Sequence, residues 1–193
     1  MRLLAIILIL ALPACASVSK RVAEAQPYSS QILWPEEFSP GKADFYVHNK
    51  IEIDASAQDV LDVLIEAGTW TDWYEGASNL QFVKGEGPDL TEDSVFTWKT
   101  MGLNFTSEIT GFDPPKPGTM APSRLSWVSR KSTIQGYHAW LLVPMNDGRT
   151  LLVTDESQNG FLATLQGVFQ RNKLRKLHDV WLGEIKNRAE ARG

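Results

Sequence analysis

The chain holds one cysteine and three histidines in 193 residues. A lone thiol allows no disulfide within the chain. Histidines at positions 48, 138 and 178 leave little from which to assemble a metal site. No metal and no cofactor is therefore expected. HExxH, paired-cysteine, P-loop and GxGxxG patterns are all missing, and no serine stands in a nucleophile-elbow setting. Basic excess is missing too. The formal net charge is −4, so no nucleic-acid partner is expected, since one would need a basic face. No internal repeat is visible. The apolar run Leu3–Leu12 spans ten residues, well short of the roughly 20 that a membrane-spanning helix takes.

That run, preceded by Arg2, has the form of an export signal. Leu12-Pro13-Ala14-Cys15 resembles a bacterial lipobox, whose Cys would be lipidated. Ala14-Cys15-Ala16 alternatively fits ordinary signal peptidase, cutting before Ser17. The lone Cys15 favours lipidation, because an exported thiol with no partner has no other evident use. The expectation is an exported, periplasmic protein held at a membrane through lipidated Cys15. Its organisation would be a signal peptide at 1–15, a tether at 16–44 and one folded domain at 45–193. Three prolines and Pro40-Gly41 bar a continuous helix from the tether. Trp34 and Phe38 suggest that part of it docks on the domain.

Regular punctuation begins at Phe45. Val47, Asn49, Ile51 and Ile53 alternate with His48, Lys50 and Glu52 as in a strand. Ser56 and Asp59 form a helix-start signature before the Val60, Leu61 and Leu64 stripe. Gly68 ends that helix, and Trp70–Tyr74 predicts a further turn. Strand-like runs follow at Leu80–Lys84, Val95–Thr100, Leu103–Phe112, Arg124–Arg130, Gln135–Val143 and Thr150–Gln158. Apolar residues from Leu162 to Ile185 then recur every three to five positions, which predicts one helix of about 28 residues. The fold class is α+β: a seven-stranded curved antiparallel sheet around a long C-terminal helix. Backbone cannot fill the space between sheet and helix, so large side chains, a ligand, or both must fill an internal cavity.

His48-Asn49-Lys50-Ile51-Glu52-Ile53-Asp54-Ala55 followed by Trp70-Thr71-Asp72-Trp73 resembles the opening of SRPBCC (START-like) proteins of the polyketide cyclase/dehydrase and lipid-transport group. Phe96-Thr97-Trp98-Lys99, Gly136-Tyr137-His138-Ala139-Trp140, Thr154-Asp155-Glu156-Ser157 and Trp181-Leu182-Gly183-Glu184 continue the likeness in order. The resemblance covers residues 45 to about 190. It implies the helix-grip fold with an apolar cavity, but no single activity.

The last hairpin is the most informative stretch. If Pro144 faces Thr150 across Asn146-Asp147-Gly148, then Leu142 meets Leu152, Trp140 meets Thr154 and His138 meets Glu156, all on one face. The resemblance places that face toward the cavity. A His138–Glu156 pair there could tie two strands together, hold a ligand's hydroxyl or carbonyl, or act as an acid/base pair. Trp98 and Trp127 are candidates for the same lining or for plain core. Trp70 and Trp73 would rim the cavity mouth as a lid, or pack in the core. His178 reads as a satisfied helix residue.

Tyr137, Leu141, Val143, Leu151 and Val153 make an apolar outer face that needs a cover. The tether is the first choice, with a second copy in a homodimer or a membrane as alternatives. Arg171, Lys173, Arg175 and Lys176 form a solvated basic face or a contact for anionic headgroups. The leading function is binding or transport of a hydrophobic small molecule (lipid, isoprenoid or aromatic) at the cell envelope. The rivals are a cyclase/dehydratase-type enzyme using His138 and Glu156, and an envelope interaction protein with a filled cavity.

Overall fold

A computed structural model of the chain describes residues 22, 23, 25 and 27–193. Residues 1–15 with Cys15, where the sequence suggests an export signal, and the first part of the 16–44 stretch lie outside the described residues. Among those described, no helix is long and apolar enough to cross a membrane.

Strand β1 (Phe45–Ile53) leads into helix α1 (Ala57–Ile65), whose start is capped by Ser56. The Ser56 hydroxyl accepts the Asp59 N–H at 3.2 Å, satisfying one of the helix's free donors. Helix α2 (Trp70–Trp73) is a single turn. Strands β2 (Ser78–Lys84), β3 (Val95–Thr100), β4 (Leu103–Asp113), β5 (Ser123–Lys131), β6 (Ile134–Pro144) and β7 (Thr150–Asn159) follow. They form one antiparallel sheet in the order β1-β7-β6-β5-β4-β3-β2. Met101 and Gly102 turn the β3–β4 hairpin at φ of 53° and 82°, as a two-residue primed turn requires. The final hairpin has the expected register, with His138 opposite Glu156, Trp140 opposite Thr154 and Leu142 opposite Leu152.

The expected single C-terminal helix is two. Helix α3 (Phe161–Phe169) and helix α4 (Arg171–Glu190) meet at Gln170, whose φ of −131° and ψ of 22° are not helical. The apolar spacing carries the reason. Leu174 follows Phe169 by five positions, so the two stripes cannot share one face of a straight helix. Leu174, Trp181, Leu182 and Ile185 of α4 are buried, whereas Phe161, Leu165, Val168 and Phe169 of α3 are exposed.

Apolar packing covers both faces of the sheet. On the inner face, Trp70, Phe96, Trp127, Trp140 and Trp181 are almost wholly buried between the sheet and the helices. Each such ring removes roughly 150–250 Å² from water, about 4–6 kcal/mol before the entropy of ordering it. On the outer face, Ile32, Trp34 and Phe38 lie over Tyr137, Leu141 and Val153. The Tyr137 hydroxyl bonds the Leu33 carbonyl at 3.0 Å, and Arg124 Nε donates to the Gln31 carbonyl at 2.6 Å. Of the three covers weighed for this face, the chain's own preceding segment occupies it.

Candidate functional site

Strands β6 and β7 alternate, so every second residue faces inward. His138, Trp140 and Leu142 come from β6, and Glu156, Thr154 and Leu152 from β7. Across from them, α4 presents Leu174, His178 and Trp181 at helical spacing. His138 Nδ1 lies 3.4 Å from Glu156 Oε2. His178 Nε2 lies 3.1 Å from the same oxygen. His138 Nε2 bonds Thr154 Oγ1 at 2.7 Å, and the Gln158 amide donates to Glu156 Oε1. The two imidazole rings stand 4.9 Å apart, and Trp140 stacks on His138 at 4.9 Å and 14°.

Burial governs the charges. It pushes His138 far below the usual imidazole range, against the attraction of Glu156. Burial also works against ionisation of Glu156, but the hydrogen bond from His178 and the nearby imidazoles more than offset it. At neutral pH the trio is thus an ionised carboxylate against a neutral His138.

The cavity beside the trio is small, about 30 Å³, room for only about one or two waters. Tyr74, Met101, Phe105, Ile134 and Leu174 line its apolar part; Glu156, His138, His178 and Gln158 line its polar end. Two further lining residues, Trp127 and Trp181, have buried indole N–H groups without a partner, and His178 Nδ1 is likewise unpartnered.

Of the residues singled out from sequence, Trp98, Trp127, His138 and Glu156 line the cavity. Thr154 supports His138 from behind. Trp140, Leu142 and Leu152 are buried but do not line it. Trp70 is fully buried and meets Trp181 edge-on at 4.9 Å, which makes it core. Trp73 is half-buried away from the cavity, under the Arg188 guanidinium at 4.5 Å. Sequence reasoning missed His178, Tyr74, Trp181 and Met101 as lining. His178 is no bystander on its helix: it is 1% exposed and hydrogen-bonded to Glu156. Its signal was available, since Leu174, His178, Trp181 and Ile185 share one stripe at spacings of four, three and four. Two of the three histidines meet on one carboxylate, a convergence that their sequence positions do not show.

Solved structures share this arrangement of a seven-stranded antiparallel sheet and a long C-terminal helix as a fold. The fold is the START-like (SRPBCC) helix-grip fold. A hypothetical protein from Helicobacter pylori is 26% identical with a TM-score of 0.73, covering 81% of this chain and 94% of that one. The Zhui aromatase/cyclase from Streptomyces sp. R1128 is 17% identical with a TM-score of 0.55, covering 77% and 97%. A norcoclaurine synthase point mutant from Thalictrum flavum is 11% identical with a TM-score of 0.54, covering 76% and 94%. No protein-family model and no curated protein sequence matches the chain. The START-like likeness to the two enzymes is one of fold, and the cavity has to be read from its own residues.

Proposed function

We propose that this START-like protein binds a hydrophobic small molecule that carries a polar acceptor group, at the surface of a cell-envelope membrane. One observation carries the reading. An ionised carboxylate and two imidazoles close one end of an aromatic pocket, although a core built only for stability has no need of them. Partnerless indole N–H donors on Trp127 and Trp181 suit an acceptor on the ligand. A drug-sized ligand needs roughly 300–1,000 Å³, so binding requires the mouth to open. Met101 is a flexible side chain there, and α3 joins α4 only through the non-helical Gln170.

The surroundings support a membrane source for the ligand. Phe161, Leu165, Val168 and Phe169 form an exposed apolar stripe on α3. Arg171, Lys173 and Lys176 lie just beyond it, exposed and without an ion pair among the described residues. Apolar side chains beside cations suit an anionic lipid surface. Lipidated Cys15 would hold the chain there after export.

Two other readings each have an observation in their favour. The indole-filled interior suits an envelope interaction protein that keeps the fold without a ligand. The two imidazoles on Glu156 suit an acid/base enzyme of cyclase or dehydratase type. Native mass spectrometry of the full chain, gently extracted from the membrane fraction, separates them. A co-purified hydrophobic ligand is expected, together with a diacylglyceryl mass on the peptide that begins at Cys15. A protein that arrives empty and binds nothing from a panel of lipids and aromatics overturns ligand binding. An unmodified Cys15 overturns the anchor.

A further inference from the structure

His138, Glu156 and His178 come from three separate elements, β6, β7 and α4, and converge inside the molecule. Their nearest ligand atoms all lie within 4.8 Å of one another. Two separations meet at one oxygen, 3.4 Å from His138 Nδ1 and 3.1 Å from His178 Nε2 to Glu156 Oε2. Ligands held about 2.0–2.1 Å from a tetrahedral ion stand about 3.3–3.4 Å apart. Two of the three separations are therefore close to those such an ion would impose, and the third is within 4.8 Å.

Their supports fit as well. Thr154 fixes the His138 ring from Nε2, which turns Nδ1 toward Glu156. Both rings thus turn a nitrogen toward one carboxylate oxygen, Nδ1 of His138 and Nε2 of His178. Gln158 occupies Oε1 of Glu156, leaving Oε2 to the imidazoles. The aromatic walls lower the local dielectric and strengthen any charge interaction with the carboxylate. Beyond the trio, about 30 Å³ of cavity leaves room for one small ligand or water.

We propose that His138, Glu156 and His178 bind a divalent transition-metal cation, zinc foremost, with one coordination position open to the cavity. Two nitrogens and one carboxylate form a donor set suited to zinc or ferrous iron. Magnesium and calcium prefer oxygen donors and fit it poorly. An ion here would give the pocket a Lewis-acidic floor for an oxygen-bearing ligand. The proposal does not depend on the ligand reading above, and either can fail while the other stands.

The test uses the full chain carrying Cys15→Ser, so that no thiol competes for metal. Titrated with Co²⁺, the protein is expected to show intense visible bands of a low-coordinate site at one equivalent. Zn²⁺ should abolish the bands and raise Tm. Glu156→Gln and His178→Ala, each checked for native far-UV circular dichroism, should lose the bands. His48→Gln, which alters the only histidine outside the trio, should keep them. Thr154→Val, acting through His138 as a positioning residue, should weaken Co²⁺ by about 10–100-fold. Absence of both the bands and the Tm shift overturns the proposal. So do bands that survive Glu156→Gln but disappear in His48→Gln.

Discussion

Asp155 is completely buried on the outer side of the sheet, back to back with the neighbouring Glu156 of the inner site. Its Oδ1 meets His48 Nδ1 at 2.5 Å and its Oδ2 accepts the Tyr46 hydroxyl at 2.8 Å. The Tyr28 ring stacks over His48 at 6.0 Å and closes the site from the chain's early segment. A buried carboxylate with two partners is stable only while both remain, because each lost partner leaves an unsatisfied polar group. Asp155→Ala strands His48 and Tyr46 together. It should lower the unfolding free energy by about 3 kcal/mol, read from urea titration. A loss below about 1 kcal/mol would mean that the cluster contributes no more than an ordinary hydrogen bond. Adjacent residues thus serve opposite faces, Asp155 the outer packing and Glu156 the pocket, because side chains alternate along a strand.

At the scale of elements, the segment at residues 28–38 acts as part of the outer layer. Phe38 is 2% exposed and stacks on Tyr137 at 6.0 Å, and Trp34 lies 5.3 Å from the same ring. Asn159 Nδ2 donates to the Glu37 carbonyl at 2.6 Å, tying the segment to the end of β7. Phe38→Ala should cost about 3–5 kcal/mol, the usual range for emptying a buried aromatic site. The same variant should bind the dye ANS more strongly, as Tyr137, Leu141 and Val153 become accessible. Unchanged stability and dye binding would show that this segment does not protect the sheet. Helix α3 is the contrary case. Its apolar stripe faces outward; the five-residue step from Phe169 to Leu174 shows the stripe shifting, but periodicity alone did not say whether the helix would break there or bury both stripes. Periodicity reports a face, and only packing says what that face meets.

Taken as a whole, the molecule hides three of its four phenols, on both sides of the sheet. Burial raises the pKa of Tyr46, reinforced by the charge of Asp155; burial raises that of Tyr74, reinforced by Glu156; and burial raises that of Tyr137 against its hydrogen bond to Ser126. Above the ordinary value of 10.0 the unfolded chain gives up phenolic protons that the native chain keeps. The unfolded state then binds fewer protons, so stability falls as pH rises beyond about 10. In an alkaline titration, phenolate absorbance for these three tyrosines should appear together with loss of near-UV circular dichroism. A phenolate signal worth two or more tyrosines while the near-UV spectrum stays native would contradict that burial.

Much of this architecture was legible in the residues. The period-two runs, the Ser56 cap and the Asn146-Asp147-Gly148 turn are local features. Because turn length sets register and register sets side-chain parity, the opposition of His138 and Glu156 followed from sequence alone. Sequence also identified Trp34 and Phe38 as residues with a docking role. Tertiary structure decided the rest. It brought His178 of α4 onto Glu156, broke the helix at Gln170, moved Trp70 from a candidate lid into the core and left a cavity of only about 30 Å³. These outcomes depend on how far apart sheet and helix come to rest and how five indoles share the space between them. That distance is set by the packing of large side chains from elements remote in sequence, and no local pattern carries it.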